Sequence, residues 1–437
     1  MALNDLRQTI KGRVLLRGDD CFEQASKPWN LAIEQPVAAV VEVYDAEDVA
    51  TLVTYARQNG MTVSGQRTGH TASGNVEGII LFRTGRLNAV EVNPRTRQAR
   101  VGAGVILGEV QAAAAPLGLT GLPGTSPAVS VVGSTLGGGF GWFARKHGFA
   151  SGSVRAFDIV DADGLPARVT EDTDPDLFWA LRGGGGDFAV VTSMEFELFP
   201  APELYGGRVL WPVDRAPAVL DAFREITATA PEELTLWFDL FQFPGAPPMV
   251  AVDAAYLGEA GEGRELLSPL DKIDDSIADS RGELPLANLL GISAEPTDPT
   301  KGAGQAELLS RLDDKVAETL LAKPIDPLVS VQLRQLGGAM AEESPGGSAA
   351  GRLVDPFLLC VTGSPTTPEV TKGLMARKAE LIQELGPYVS GRKPYNFLAP
   401  GESAAQAFPE LTLRRLRDLK RARDPHNVFR ANFPILA

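Results

Sequence analysis

A polar loop that carries one of the chain's three histidines is the first segment that could do chemistry. Residues Ser64 to Thr71, Ser-Gly-Gln-Arg-Thr-Gly-His-Thr, present successive backbone N–H groups of the kind that cradle a phosphate. His70 stands near the end of this loop. The local residues alone leave open whether His70 serves such a site or is an ordinary loop histidine bonded to a carbonyl.

A second candidate is the glycine-rich segment from Gly121 to Gly141. Its hydroxyl groups and exposed backbone would let a flat, polar ligand lie close to the chain. Apolar residues interrupt the glycines, at Val129, Val131, Val132 and Leu136. Because flexible linkers seldom contain such residues, the pattern favours a packed loop over a linker.

Composition excludes several classes of protein. A chain of 437 residues predicts about two or three domains. The 41 basic and 55 acidic residues give a net charge of −14, which argues against nucleic acid and anionic membranes as partners. Cys21 and Cys360 are too few for a disulfide framework, and three histidines argue against a zinc enzyme. The first residues lack a leader pattern and no stretch would span a bilayer, so we expect a soluble, cytoplasmic protein.

Three further patterns do not indicate a catalytic site. Gly102-Ala-Gly104-Val-Ile-Leu-Gly108 misses the dinucleotide fingerprint by one residue and is interpreted as structural. No Gly-x-Ser-x-Gly elbow supports a serine hydrolase. The basic helix residues indicate a solvated, salt-bridged face, and they are Arg414, Arg415, Arg417, Lys420, Arg421 and Arg423.

The elements that position the two loops begin with a βαβ unit. Val37 to Val43 predicts a strand, Asp45 caps a helix that ends at Asn59-Gly60, and Met61 begins the next strand. Residues 78–82, 89–92 and 98–105 predict adjacent antiparallel strands that complete one mixed sheet. A helix is expected from Leu107 to about Leu117.

The middle of the chain has a different pattern of predicted strands and helices. Residues 188–199 predict an apolar strand, and Pro200-Ala201-Pro202 marks a boundary. From Gly206 to about Arg392, long strands alternate with amphipathic helices, which indicates a second α+β region on an antiparallel sheet. Residues 282–305 form an irregular excursion, and a last helix is expected over 411–423.

Taken together, four ordered motifs resemble the berberine-bridge-enzyme-like oxidoreductases, flavoproteins with a p-cresol-methylhydroxylase-type FAD domain in the vanillyl-alcohol-oxidase superfamily. The motifs are the βαβ unit ending in Gln66-Arg67-Thr68-Gly69-His70, the loop Val132-Gly-Ser-Thr-Leu-Gly-Gly-Gly-Phe-Gly141, the segment Pro175-Asp-Leu-Phe-Trp-Ala-Leu-Arg-Gly-Gly-Gly-Gly-Asp-Phe188, and a tail with Tyr395-Asn396-Phe397 and Asp424-Pro425-His426-Asn427-Val428-Phe429-Arg430-Ala431-Asn432. The resemblance implies an α+β fold. Residues 1–201 and 393–437 would form a two-part FAD-binding domain around an inserted substrate domain, 202–392, built on an antiparallel sheet with flanking helices.

The resemblance implies a covalent bond between His70 and the flavin 8α-methyl group. The pyrophosphate would be held by the loop residues Gln66, Arg67, Thr68, Gly69, His70 and Thr71. Relatives often have Arg in place of Gln66 and Gly in place of Thr68. Many carry a second link through a cysteine eleven residues before the triple glycine, where this chain has Ser126, so a single linkage is expected.

Further cofactor contacts follow from the same resemblance. Val129 would leave room for dioxygen beside the flavin, which favours an oxidase. The remaining cofactor-binding residues would be Ser126, Ser130, Gly133, Ser134, Gly137, Val190, Val191, Asn396 and Asn432, with the two valines at the adenine end and the asparagines near the ring or its ribityl chain.

The sequence leaves the identity of the catalytic base open. Many relatives place a tyrosine two residues before the asparagine, where this chain has Pro394, and Tyr395 is the adjacent candidate. Polar residues on expected strands of the substrate domain are the other candidates, namely Asp239, Gln242, Gln332 and Arg334.

The expected activity is an FAD-dependent oxidase that removes a hydride from a small organic substrate to flavin N5, with dioxygen reduced to hydrogen peroxide. Three alternatives stand beside it. They are a dehydrogenase that passes electrons to a quinone or protein, a tailoring enzyme that couples the oxidation to ring closure, and a binding module that has lost the flavin.

Overall fold

The computed structural model describes residues 2–122 and 124–436, which begin with a four-stranded sheet. The elements of this part are α1 (Ala2–Leu6), β1 (Arg13–Leu16), α2 (Phe22–Ser26), β2 (Ala39–Glu42), α3 (Ala46–Gln58), β3 (Val63–Gln66) and β4 (Ile80–Arg83). The strand order is β1-β2-β4-β3, and both β2 and β3 run parallel to β4. The parallel βαβ unit predicted from the sequence is thus confirmed.

Helix capping and apolar packing stabilise the βαβ unit. Asp45 accepts the backbone N–H groups of Glu47 and Asp48 at 3.1 and 3.0 Å, so its carboxylate caps the first turn of α3. The apolar face of the helix is buried against the sheet through Val49, Leu52, Val53 and Ala56. The register places Gln66 at the end of β3 directly beside Arg83 at the end of β4.

A second, antiparallel sheet follows. Its region contains β5 (Val90–Asn93), β6 (Gln98–Gly102), α4 (Leu107–Ala114), β7 (Leu119–Thr120), α5 (Val131–Leu136), α6 (Ala144–His147), β8 (Val154–Val160), β9 (Pro166–Val169), α7 (Pro175–Leu181), β10 (Val190–Glu197) and β11 (Phe199–Pro200). The prediction of one mixed sheet is wrong here, because β5 and β6 pair with β10 in the order β5-β6-β10-β8-β9. A turn closed by the Leu87 N–H on the Thr84 carbonyl ends β4 and leads the chain to the new sheet.

The third sheet is antiparallel, as predicted, and has eight strands. Its region contains β12 (Tyr205–Pro212), α8 (Ala216–Thr229), β13 (Leu234–Phe241), β14 (Met249–Tyr256), α9 (Ala260–Leu266), β15 (Ala278–Asp279), β16 (Gly282–Glu283), β17 (Ala303–Leu309), α10 (Asp314–Leu321), β18 (Ser330–Gln335), β19 (Phe357–Gly363) and α11 (Pro368–Glu384). The order is β15-β12-β14-β13-β18-β19-β17, and β16 also pairs with β12.

The two faces of this sheet differ in chemistry. Alternate residues of β13 and β18, such as Leu236, Phe238 and Leu333, pack into one apolar core with helices α8, α10 and α11. The intervening residues point to the opposite face and include buried polar groups such as Asp239 and Gln332. The fold is therefore α+β, with one sheet face covered by helices and the other packed against the end of the glycine-rich segment and α6.

The C-terminal segment returns to the first two sheets through α12 (Glu410–Arg423). Arg414 and Arg421 form exposed ion pairs, as the solvated-face interpretation expects. Lys420 departs from that interpretation because its ammonium is buried, contacting Asp424 at 2.6 Å and donating to the Phe429 carbonyl. Within the residues that the structure describes, no helix is long and apolar enough to cross a membrane.

A buried carboxylate closes this segment onto the glycine-rich motif after α7. Asp187 accepts the N–H of Ala431 with one oxygen at 2.7 Å and the N–H of Ile435 with the other at 2.6 Å. Lys420 donates to the Asp187 main-chain carbonyl at 2.8 Å. These bonds hold the last residues of the chain against the first half of the molecule.

The Asp187 contact predicts a large loss of stability on Asp187→Asn. The amide keeps the shape but can accept only through one atom, so one backbone N–H is left unpaired in the core, at a cost of about 1–3 kcal/mol. Chemical denaturation measures the free energy of unfolding. Asp418→Asn, an exposed position on α12, is the control and should change it by less than about 0.5 kcal/mol. Equal effects of the two substitutions would contradict the assignment.

Candidate active site

The histidine loop follows β3 and presents a buried, unbonded imidazole nitrogen. The His70 ring stacks on the indole of Trp29, with centroids 3.9 Å apart and an interplanar angle of 27°. Nδ1 is buried and has no hydrogen-bond partner among the described residues. Burial lowers the pKa of His70, and the charge of Glu295 opposes the shift. The imidazole is therefore neutral at neutral pH, with a free lone pair or N–H.

Asn432 holds the far end of this loop. Its side-chain oxygen accepts the Ser73 N–H at 2.8 Å, and its amide nitrogen donates to the Thr71 carbonyl at 2.6 Å. The Ser73 hydroxyl returns a bond to the Asn432 carbonyl at 2.6 Å. The Asn432 side chain thus acts on the loop that carries His70, a role that its predicted place near the ring or ribityl chain did not include.

The start of the loop is surrounded by cationic side chains. The Gln66 amide bonds with Gln35 and Arg83, and Arg67 donates from Nε to the Gly104 carbonyl at 2.6 Å. Neither Arg67 nor Arg83 forms an ion pair with a carboxylate in the described part of the chain. Burial lowers the pKa of Arg83 to about 10, so it stays protonated. Two such guanidinium groups favour an anionic ligand at this loop.

Arg83 is a residue that sequence reasoning missed. It is the polar end of an apolar strand, Ile-Leu-Phe-Arg, and the parallel register sets it beside Gln66. Relatives often have arginine at the Gln66 position, and Arg83 supplies a positive charge in the neighbouring strand. In the sequence, the only indication of this role was a charged residue at the end of an apolar strand.

The glycine-rich segment is packed, as the sequence predicts. Ser130 caps α5 by accepting the Gly133 N–H at 3.2 Å. Ser126 is buried and accepts the Ala128 N–H, while the Val129 carbonyl accepts the Leu107 N–H at 2.9 Å. These contacts join the segment to α4 and give it one conformation.

Gly137 and Asn396 meet at the end of α5. A Cβ at position 137 would lie 1.9 Å from the Asn396 side-chain oxygen, so only glycine fits. The Asn396 amide donates to the Ser134 carbonyl at 2.7 Å. The structure thus brings together three residues predicted to bind the cofactor, Ser134, Gly137 and Asn396.

Tyr395 lies in the core rather than in a site. Its hydroxyl donates to the Phe433 carbonyl at 2.9 Å, and burial raises its pKa well above the ordinary tyrosine range. The hydroxyl is engaged and cannot accept a substrate proton at neutral pH, so the structure contradicts the prediction of Tyr395 as base. Its ring packs beneath the glycines, near Gly185.

Val190 and Val191 do not line one site together. Successive residues of a strand point to opposite faces. Val190 packs with Val160 and Phe429 in the core beside the first sheet, whereas Val191 joins the core of the second sheet. The prediction that Val190 and Val191 line the adenine end stays a prediction, and strand alternation allows at most one of the two side chains to face any one ligand.

Three of the four polar candidates on the third sheet lie side by side. Asp239 pairs with Gln332 across β13 and β18, and Trp237 pairs with Arg334. Asp239 accepts from the Ser330 hydroxyl at 2.5 Å and from the Gln332 amide at 3.4 Å. Arg334 donates to the Gln332 side-chain oxygen at 2.6 Å. The result is a continuous hydrogen-bonded row on the face opposite the helices.

Gln242 does not join this row. It follows the last residue of β13, and strand alternation places it with Leu240, which packs on the helix-covered face. The structure therefore contradicts the grouping of Gln242 with Asp239.

Asp239 is the unusual group of the row. No basic side chain pairs with it among the described residues, because the nearby Arg208 makes a two-pronged contact with Asp253 at 2.6 and 2.7 Å. Burial, with a smaller contribution from the Asp253 charge, raises the pKa of Asp239 to about 7. A carboxyl group with such a pKa exchanges a proton near neutral pH.

Aromatic rings and one glutamate connect the row to the glycine-rich segment. The Arg334 guanidinium lies 3.9 Å from the Trp237 ring centroid, and Trp237 stacks on Trp142 at 4.1 Å. Glu295, from the irregular excursion, lies 3.6 Å from Arg334 and accepts from the Thr125 hydroxyl at 2.7 Å. The same excursion accepts the Trp29 indole N–H through the Thr297 carbonyl, and Trp29 stacks on His70, so the excursion contacts both the polar row and the residues around His70.

These features match the class of protein that the sequence predicts. A cationic loop with a neutral histidine, a packed glycine-rich segment and an adjoining polar sheet face are the features expected of a flavoprotein with a p-cresol-methylhydroxylase-type FAD domain. Within the described residues, no group of three or more His, Cys, Asp or Glu side chains is placed to hold a metal ion.

Comparison with known proteins supports this class. A family model described as FAD binding domain matches residues 37–170. The (R)-6-hydroxynicotine oxidase of Paenarthrobacter nicotinovorans is 27% identical over 98% of this chain and 97% of its own length. The glucooligosaccharide oxidase of Sarocladium strictum is 30% identical over 61% of this chain and 55% of its own length.

Solved structures are similar to this chain over nearly its whole length. The 6-hydroxy-D-nicotine oxidase of Arthrobacter nicotinovorans has a TM-score of 0.83 and 25% identity, with 98% of each chain covered. BBE-like 1 of Physcomitrella patens has a TM-score of 0.86 at 18% identity, over 100% of this chain and 99% of its own, and shows the shared fold. The chain is an enzyme, an FAD-linked oxidoreductase, and it is similar over nearly its whole length to (R)-6-hydroxynicotine oxidase.

The residues present fit FAD. Arg67 and Arg83 supply positive charge for a pyrophosphate, and the unbonded Nδ1 of His70 is a buried polar atom that lacks a partner in the protein. FAD is therefore the cofactor that this donor set accommodates.

Asn432 provides a test of the histidine loop as part of the FAD site. Asn432→Ala removes two hydrogen bonds to the loop, each contributing about 1 kcal/mol, so we expect roughly tenfold or greater weakening of FAD binding. A His70→Ala background restricts the titration to non-covalent binding, followed by flavin fluorescence. Asn88→Ala, an exposed amide, is the control. Unchanged FAD affinity in Asn432→Ala would remove Asn432 from the site.

Proposed function

We propose that this enzyme is an FAD-dependent oxidase that removes a hydride from a small organic substrate, with dioxygen reduced to hydrogen peroxide. The observation that carries the proposal is the neutral imidazole of His70, whose buried Nδ1 has no partner among the described residues, with its ring stacked on Trp29, which is bonded to the excursion that contacts the polar sheet face. Bound FAD would accept the hydride at N5 and pass two electrons to dioxygen. The relatives named above as oxidases support the same reaction type.

The proposal assigns FAD to residues 1–201 and 393–437 and the substrate to residues 202–392. It includes one covalent bond from His70 to the flavin. Ser126 offers no thiol for a second bond, and its hydroxyl accepts the Ala128 N–H. A single covalent link would anchor the ring and raise its oxidising potential.

Acid precipitation tests the covalent link. We expect the flavin absorbance to stay with the precipitated wild-type protein and to be released from His70→Ala, because only the covalent bond survives unfolding. His147→Ala is a control that removes a histidine outside the loop. Flavin released from wild type would limit the assignment to a non-covalent flavoprotein, and a protein that binds no FAD would contradict the oxidase itself.

Asp239 is the proposed base. A substrate O–H or N–H on the carbon to be oxidised would donate its proton to the Asp239 carboxylate as the C–H hydrogen leaves as hydride. Gln332 and Ser330 hold the carboxylate, and Arg334 orients Gln332. The stacked Trp237 and Trp142 bury the apolar side of the row and hold Arg334 in place. The relatives' named substrates, a nicotine derivative and an oligosaccharide, keep the substrate class broad.

The base assignment predicts a pH profile. The carboxylate form accepts the proton, and the pKa of Asp239 is about 7, so the rate of flavin reduction should rise with pH through 7 and then level off. Asp239→Asn should lower this rate by roughly a hundredfold or more and abolish the rise. Stopped-flow absorbance under anaerobic conditions measures it, with Asp172→Asn as an exposed control. A wild-type profile in Asp239→Asn would assign the proton to another group.

Oxygen reactivity separates an oxidase from a dehydrogenase on the same fold. Val129, next to the glycine-rich helix, is the residue proposed to leave space for dioxygen. Mixing the reduced enzyme with air-saturated buffer gives the reoxidation rate and the yield of hydrogen peroxide. Rapid reoxidation with stoichiometric peroxide supports the oxidase, whereas slow reoxidation that a quinone accelerates supports the dehydrogenase.

A further inference from the structure

Trp29 lies outside every motif described above, yet it contacts His70 directly. Its indole covers one face of the imidazole at a centroid distance of 3.9 Å. Its backbone N–H donates to the Thr68 carbonyl at 2.7 Å, so Trp29 is bonded to the same loop that it covers. Pro28, the preceding residue, packs against Gly69.

The indole is also held from the other side by the excursion of the third-sheet region. Its N–H donates to the Thr297 carbonyl at 3.2 Å. Leu31 and Trp29 exchange backbone bonds with Thr300, at 2.9 and 3.2 Å. The Asn30 amide bonds both backbone groups of Gly302.

These contacts fix the Trp29 ring before any ligand binds. It is anchored to the histidine loop at one end and to the excursion at the other. The same excursion carries Glu295, whose charge acts on His70. The imidazole is therefore stacked on an indole whose backbone is bonded to the histidine loop and whose ring N–H is bonded to the excursion.

We propose that Trp29 is a positioning residue for the covalent attachment of flavin: its indole plane holds the His70 imidazole in the orientation that attacks the flavin and keeps water from the buried nitrogen. The inference rests on the proposed covalent bond at His70. Trp29 belongs to none of the four motifs that carry the family resemblance.

The attachment step balances with dioxygen as oxidant. A bond forms between an imidazole nitrogen and the 8α carbon, the carbon loses one hydrogen and the imidazole loses its N–H hydrogen. Two electrons and two protons are thereby released, and dioxygen takes them up as hydrogen peroxide. The protein contributes the nucleophile and its orientation.

Orientation is the part that Trp29 supplies. The His70 side chain turns about two bonds, and an unconstrained ring would spend most of its time away from the reactive geometry. Holding a nucleophile in a near-attack arrangement accelerates a reaction strongly. The stack restricts the ring to one plane, and exclusion of water leaves Nδ1 without a competing hydrogen bond.

The test compares Trp29→Leu with Trp29→Phe in the full-length chain. Protein made in flavin-starved cells is mixed with FAD in air, and covalent flavin is followed by fluorescence of denatured gel bands while total bound FAD is followed by absorbance. Phe keeps a stacking plane and loses only the bond to Thr297, so it should attach flavin within about threefold of wild type. Leu keeps the apolar volume without the plane and should attach it roughly tenfold or more slowly, with full FAD binding.

The outcomes separate the two proposals. Attachment by Trp29→Leu at the wild-type rate overturns the positioning role while leaving the covalent bond intact. Equal slowing in Leu and Phe, or parallel loss of total FAD, also overturns it, since either result indicates a general structural role. Absence of covalent flavin in wild type refutes the bond at His70 and the positioning role together.

Discussion

The site depends on the two hydrogen bonds that the Asp187 carboxylate accepts from Ala431 and Ile435. A buried carboxylate without such donors would be costly, so the tail of the chain must dock here for the core to form. Docking places Asn432 against Ser73, which is 359 residues away in sequence, and so orders the loop that carries His70. The geometry of the candidate nucleophile therefore follows from a contact made by the end of the chain.

The two faces of the third sheet contribute differently to stability. One face buries aliphatic and aromatic side chains against helices, which supplies stability. On the polar face, Asp239 is buried with neutral partners and without a cation, an arrangement that costs stability and raises its pKa to about 7. Such a cost is typical of functional sites, where a group is held in the state that chemistry needs. Glu295, on the excursion, then connects this face to Thr125 in the glycine-rich segment.

The sequence by itself determined the elements whose causes are local. The capped helix after Asp45, the parallel βαβ unit and the antiparallel third sheet follow from periodicity, capping and turn residues close together in the chain. The glycine-rich segment was predicted to be packed because valines interrupt it, and Ser130 caps its helix. The resemblance to FAD-linked oxidoreductases and the FAD cofactor also followed from ordered motifs, which are patterns along the chain.

Tertiary structure alone decided the features that depend on distant residues. Tyr395 entered the core because the Phe433 carbonyl accepts its hydroxyl, and Lys420 left the basic surface because Asp424 and the tail surround it. Strands β5 and β6 joined β10 instead of β4, since pairing partners lie far apart in the chain. The stacking of Trp29 on His70 has the same origin. Periodicity and capping act over a few residues, whereas strand partners, buried charges and ring stacks are set by which segments the folded chain brings together.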